Sequence, residues 1–210
     1  AAFDAATEDW TLIASNKGSE RSWWSAAGLG DSVVFTNNVD PVLLHNLGTT
    51  TTQTIPELVN QVKCRKARIA VQFYGFILLM NTEEDMGDGY MRYSSRVRWS
   101  DANDPNVWWP VPEEPDAGQE GNLANFQDLE YGDEILAAEK LGGNLMIYTA
   151  RGIWRCYLQL GPANTSVFGF QRVYSEPKNS TGCIAYPRTL VSTGDNHFYM
   201  GRDAIYRYNA

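Results

Sequence analysis

The residues best suited to chemistry are carboxylates that occur in runs and the arginines that lie between them. Glu83-Glu84-Asp85 and Glu113-Glu114 place acids side by side. Glycoside hydrolysis needs two carboxylates flanking one bond, with one pKa raised by its surroundings. Both runs stand in polar stretches, so they read as solvated and mutually repelling. A calcium loop of the Asp-x-Asp-x-Asp-Gly kind is missing, and Asp85-Met86-Gly87-Asp88-Gly89 reads as a hairpin end. Arg96, Arg98 and Arg155 are the only plausible anion binders for a hydrolase of the sialidase-like class. Two histidines, His45 and His197, have no Gly-x-Ser-x-Gly elbow to serve, and neither a phosphate loop nor a dinucleotide fingerprint occurs. Cys64, Cys156 and Cys183 are an odd number at wide spacing, which excludes a disulfide framework and a zinc module. The expectation is a chain without catalytic residues, metal ligands or cofactor.

Aromatic residues offer a different chemistry. Trp23, Trp24, Trp108 and Trp109 could stack on sugars, or equally form strand-end core and rim. The most distinctive stretch runs from Arg96 to Trp108. Val97 and Trp99 alternate there with Arg96 and Arg98, as on a strand. Ser100, Asp101 and Asn103 can cap free amides of the turn that follows, and Asp104-Pro105 fixes the next φ. Trp108 can then fold back on the sheet. The predicted structural turn is therefore Trp99, Ser100, Asp101, Asp104, Pro105 and Trp108. It is similar to the Asp box of sialidase-type propellers, with Pro105 where that box has glycine.

Charge is unevenly placed. The chain of 210 residues carries −8 in total. Residues 101–140 hold eleven acids against Lys140 alone, whereas 1–100 sum to −2 and 141–210 to +4. Two readings are open: a solvated loop that aids solubility, or an acidic surface past which a polyanion slides without adhering. Within it, Pro110 to Asp116 holds three prolines and three acids, which forbids a central strand and predicts an exposed loop. Glu113, Glu114, Asp116 and Glu120 are the candidate acidic surface. Only Lys63, Arg65, Lys66 and Arg68 cluster as bases, so binding to nucleic acid through a basic patch is disfavoured.

The elements that must position these residues are strands. Apolar residues make up 43% and charged residues 20%, a globular composition rich in Trp, Tyr and Phe. The longest apolar run, Phe73 to Met80, is too short to span a bilayer as a helix. A phrase recurs four times, each a glycine turn followed by an apolar β-rich run: Gly28 to Thr36, Phe73 to Met80, Leu141 to Tyr148 and Ser192 to Met200. Aligned on Gly30, Gly75, Gly143 and Gly194, the copies step by 45, 68 and 51 residues, the long step holding an insertion near 110–121. Such spacing matches one four-stranded propeller blade. The expected fold is all-β and antiparallel, a single propeller-like domain over 1–210 with about four to five blades; the alternative is a sandwich whose hairpins look alike. Thr54 to Asn60 predicts one short helix with Thr54 as cap and Pro56 just inside, and Asp133 to Leu141 reads as a strand.

Several phrases resemble those of a known family, the propellers of phage tails and necks. Gly30 to Pro41 resembles the family's opening turn and strand, and Arg98-Trp99-Ser100-Asp101 with Asp104-Pro105 and Trp108 its central segment. Gly132-Asp133-Glu134-Ile135, Leu141 to Tyr148 and Gly152-Ile153-Trp154 look like its later portion. Gly182 to Ala185 and Phe198 to Tyr206 look like its end. The departures are Asn38 where glycine is usual and Ala204 in place of a turn glycine. The family comprises tail nozzle proteins (tail tubular B-like) and packaged-DNA stabilisation proteins of short-tailed phages. The resemblance implies a non-enzymatic virion protein, made in the host cytoplasm and built into a symmetric ring of its own copies. It would contact neighbouring tail or neck proteins, let DNA pass without specific binding, and involve no membrane. Ala1 in place of Met then suggests a piece of a larger tail protein. The alternative function is a carbohydrate-binding propeller that recognises a host surface.

Overall fold

A computed structural model of the chain describes residues 2–4, 9–15, 17–18, 22–110, 121–159, 166–175 and 183–209. Its described part is all-β, four small antiparallel sheets arranged as a four-bladed propeller. Blade 1 holds β3 (Ser25–Leu29), β4 (Ser32–Thr36), β5 (Leu43–Asn46) and β6 (Thr52–Thr54), after a two-stranded ribbon of β1 (Ala2–Asp4) and β2 (Asp9–Thr11). Blade 2 holds β7 (Cys64–Phe73), β8 (Phe76–Asp85), β9 (Tyr90–Trp99) and β10 (Asn125–Asp128). Blade 3 holds β11 (Ile135–Leu141), β12 (Asn144–Thr149), β13 (Gly152–Leu158) and β14 (Phe168–Ser175). Blade 4 has three strands: β15 (Tyr186–Ser192), β16 (Asn196–Met200) and β17 (Ile205–Asn209). Consecutive strands pair in every blade, so the sheets are simple meanders.

The four repeated phrases fall at one place, the hairpin between the first and second strand of each blade. Gly30, Gly75, Gly142 and Gly194 supply its positive φ, of 56, 80, 57 and 90°. In the third copy the positive φ falls on Gly142, one before Gly143. A Cβ on Gly75 would also lie 2.9 Å from the Asn103 side chain, so this turn needs glycine twice over. Asn38 adopts φ +67°. Asparagine tolerates that left-handed conformation, so the turn forms there without glycine.

Second strands explain why the phrases are apolar. On β8, Leu78 and Met80 face blade 3 while Ile77 and Leu79 face blade 1, and all four are fully buried. On β12, Leu145 and Ile147 face blade 2 while Met146 and Tyr148 face blade 4. A strand covered on both sides reads as a continuous apolar run. The cores between blades are thus three: Ala27, Val34 and Leu44 against Ile77 and Leu79; Phe76, Leu78 and Trp99 against Ile147, Trp154 and Phe168; and Met146, Tyr148 and Ile153 against Ile184 and Tyr199.

The short helix α1 (Pro56–Asn60) is present, but Ile55 is its N-cap residue, no side chain caps it, and Thr54 belongs to β6. Pro56 at the first helical position removes one of the free amides that a cap would serve. Leu58 anchors the helix in the core between blades 1 and 2. Asp133 and Glu134 precede β11 rather than joining it, and Ile135 onward is strand.

Candidate functional site

The turn that follows β9 is built from side chains bonded to main chain. The Ser100 hydroxyl donates to the Asp101 carbonyl at 2.8 Å and accepts the Ile77 amide at 3.1 Å. Asp101 Oδ1 accepts the Leu123 amide and Asp104 Oδ1 the Asn106 amide, each at 2.8 Å. Asn103 holds φ +58° and donates its amide to the Gly75 carbonyl at 2.7 Å. The chain then returns, and Trp108 is buried completely among Ile77, Leu79 and Ala70, its indole N–H donating to the Pro105 carbonyl at 2.7 Å. Trp99 is as deeply buried and donates to the Leu123 carbonyl. Glu57 of α1 accepts the main-chain amides of Trp108 and Trp109. Trp108 therefore has no face for a sugar, whereas Trp109 remains 46% exposed.

Behind this turn lies an ionic cluster that sequence reasoning misplaced. Glu84 is not solvated but fully buried, as are Arg96 and Arg98. Its carboxylate accepts from Thr82 Oγ1 at 2.6 Å, from Arg96 Nη1 at 2.9 Å, and from Arg98 Nε and Nη2 at 3.1 and 2.7 Å. Arg96 also makes a two-pronged bond to Asp128 at 2.7 and 2.8 Å and lies over the Tyr93 and Phe126 rings. Burial alone would raise the Glu84 carboxyl, but the Arg98 bonds and charge, with Thr82 and Arg96, hold it below the ordinary glutamate range. Burial likewise opposes the Arg96 charge, and Asp128 and Glu84 more than offset it, so its pKa rises. Its neighbours behave differently: Glu83 pairs with Arg65 and Lys66, and Asp85 accepts the Gly87 and Gly89 amides at the hairpin end. The cluster ties β8, β9 and β10 into one blade, and each carboxylate oxygen of Glu84 is already occupied. Of the supposed anion binders, Arg96 and Arg98 are consumed here, and Arg155 bonds Gln171 and lies over Tyr157. They do not converge on a common site. The signal that could have revealed the cluster is the acid–base matching of Glu84 with two arginines spaced by two on the next strand.

Other acids of the 101–140 segment are committed in the same way. Asp133 is buried and accepts from Arg151 at 2.8 Å and Arg172 at 3.3 Å; Glu134 pairs with Arg68 of blade 2 at 2.5 Å. Glu113, Glu114, Asp116 and Glu120 lie outside the described residues. His197 is buried between blades 3 and 4. Its Nε2 is 2.9 Å from the Lys140 carbonyl, which only accepts, so Nε2 carries the proton. Nδ1 then accepts from the Tyr148 hydroxyl at 2.9 Å. Burial, with Tyr199 and Tyr208 nearby, raises the Tyr148 pKa, which keeps that donor protonated. Among the described residues no three His, Cys, Asp or Glu side chains group so as to hold a metal ion.

First strands of the four blades surround a cavity of about 970 Å³. Blade 1 contributes Trp23, Trp24 and Asn38, blade 2 Arg68, blade 3 Glu139, and blade 4 Tyr186 and Arg188. Trp23 and Trp24 are 58% and 46% exposed. The Arg188 guanidinium lies over the Trp23 ring, 3.0 Å from its centroid, which links blade 4 back to blade 1 at the axis. No protein-family model matches the chain, and no curated protein matches it.

Proposed function

We propose that the protein is a non-enzymatic structural subunit of a phage tail or neck ring, working by contacts between its own copies and neighbouring virion proteins. The observation that carries this reading is the uncovered face of blade 4. On β16, His197 and Tyr199 point into blade 3, while Phe198 and Met200 point away. Met200 pairs across to Tyr186 and Ile205, and Phe198 to Val191, so all five share one side of the sheet. They are 38–72% exposed. Elsewhere in the propeller the corresponding positions of β8 and β12 meet the next blade. An apolar sheet face of this kind marks an interaction surface, and β17 beside it pairs on its outer side with no strand among the described residues. Resemblance of the hairpin phrases to phage tail and neck propellers supplies the setting, and the virion location follows from it.

Light scattering on the purified chain, coupled to gel filtration at micromolar concentration, tests the reading. A ring subunit should run above the 23.5 kDa of one chain, and Phe198→Glu with Met200→Glu should return it to that mass. A monomer at all concentrations, or an oligomer indifferent to both charges, refutes it. A second reading, a carbohydrate-binding propeller, is favoured by Trp24 standing nearly half exposed at the axial cavity.

A further inference from the structure

We propose that the axial cavity binds a carboxylated sugar, its pyranose ring on Trp24 and its carboxylate on Arg188. The proposal rests on the carbohydrate-binding reading and adds the ligand's charge and its seat. Three observations carry it. The cavity, about 970 Å³, lies within the range of small-ligand sites and is lined by polar and charged residues as well as two tryptophans. Trp24 is set edge-on to Phe35, at 83° and 6.5 Å between centroids, which fixes its ring while nearly half of it stays open. Flat apolar faces of this kind suit the C–H faces of a sugar, and Trp23, one residue earlier, has its own face filled by Arg188.

The third observation is charge. Arg68, in the same wall, has its carboxylate partner in Glu134. Arg188 has none among the described residues; it is held only by stacking on Trp23. Arg188 also lines the cavity, and a guanidinium edge is the group that binds a carboxylate with two parallel hydrogen bonds. Partial desolvation and the nearby Arg68 charge both disfavour the Arg188 cation, and an anion would relieve both. Glu139, across the cavity, uses one oxygen on the Lys140 amide and has the other for a sugar hydroxyl. Asn38, at the rim, carries a side-chain amide able to donate to another. Aromatic face, cation and hydroxyl partners together specify a uronic-acid type of residue rather than a neutral sugar or a bare anion.

Calorimetric titration of the full chain with methyl β-glucuronide, methyl β-glucoside and acetate tests this, alongside the oligomer mass so that self-association is scored separately. The glucuronide should bind with a Kd on the order of 1 mM, the glucoside about tenfold more weakly, and acetate not measurably. Arg188→Met should abolish the preference between the sugars, Arg188→Lys should keep part of it, and Trp24→Ala should weaken both. Equal binding of the two sugars overturns the acidic-sugar assignment and leaves the carbohydrate reading standing. Saturable binding by neither overturns both. Acetate binding as well as the glucuronide, or affinities unmoved by the variants, overturns the proposal as well.

Discussion

Removing Glu84 should be among the most damaging single changes in this protein, and the damage should be largely relieved by a second change. Glu84→Met strands Arg98, which is 3% exposed, has no other carboxylate partner among the described residues, and lies over the Phe126 ring at 4.8 Å. Arg96 keeps both bonds to Asp128. One buried guanidinium therefore loses its counter-ion, a loss of about 3–5 kcal/mol. Against a total stability of about 5–15 kcal/mol that is a large fraction, and at about 2–4 °C per kcal/mol it lowers Tm by roughly 6–20 °C. Arg98→Met is milder, at about 2–3 kcal/mol, because Glu84 keeps Arg96 and Thr82. The double variant removes both charges and fills the space with apolar side chains, so it should be less destabilised than Glu84→Met alone. Urea unfolding of the four proteins, followed by far-UV circular dichroism, gives the coupling between the two sites. A coupling of about 2 kcal/mol or more is expected. If it falls below about 0.5 kcal/mol with m-values unchanged, the cluster is not the buried, mutually dependent unit described above.

Because Glu84 titrates below the ordinary glutamate range, its contribution is complete above about pH 4.3 and is lost as pH falls through the lower folded value. Acid unfolding should accordingly be shallower in Glu84→Gln, as measured by stability against pH between 2 and 6. His197→Ala removes the partner of the Tyr148 hydroxyl and one of two side-chain donors to the Lys140 carbonyl, which keeps Ser192, and should cost about 2–4 kcal/mol in urea titrations. Burial raises the Cys64 and Cys156 thiols, with Glu84 adding to the effect at Cys64. Iodoacetamide at pH 8 should leave both unmodified in the native protein and label them in urea, as read by mass spectrometry. On the proposed tail-ring reading, neutralising Glu113, Glu114, Asp116 and Glu120 together should slow DNA ejection without preventing assembly; unchanged ejection kinetics would count against an acidic channel surface in that assembly.

Much of the fold was legible because propeller blades repeat their hairpin chemistry. Glycine turns and apolar second strands are local signals, and they located all four first hairpins to within a residue. The candidate site was less legible, because its parts come from different blades. Trp23 and Trp24 are conspicuous in sequence, but nothing local brings Arg188 over Trp23. The same limit explains Glu84. A run of three acids reads as solvated until β9 is placed beside β8, and only pairing across strands shows that Glu84 faces the buried arginines while Glu83 faces the other way. Trp108 illustrates the converse: the Asp104-Pro105 turn foretold its return to the sheet, and that return removes it from any ligand surface.

Blade order also governs how the molecule comes apart. Each of the four sheets packs mainly on its neighbours in sequence, so the propeller behaves as a short one-dimensional array in which stability is summed over interfaces. Blades 2 and 3 are gripped from two sides. Among the described residues, blade 4 is held by one core, the Tyr148–Tyr199 cluster, and by the Arg188–Trp23 contact. Its opening therefore requires breaking about half of what an inner blade must break. Amide protons of β15 to β17 should exchange with solvent ahead of those in β8 and β12, in a partial opening that leaves the other three blades intact. A partner seated on Phe198 and Met200 would close that route, making blade 4 as slow to exchange as the inner blades.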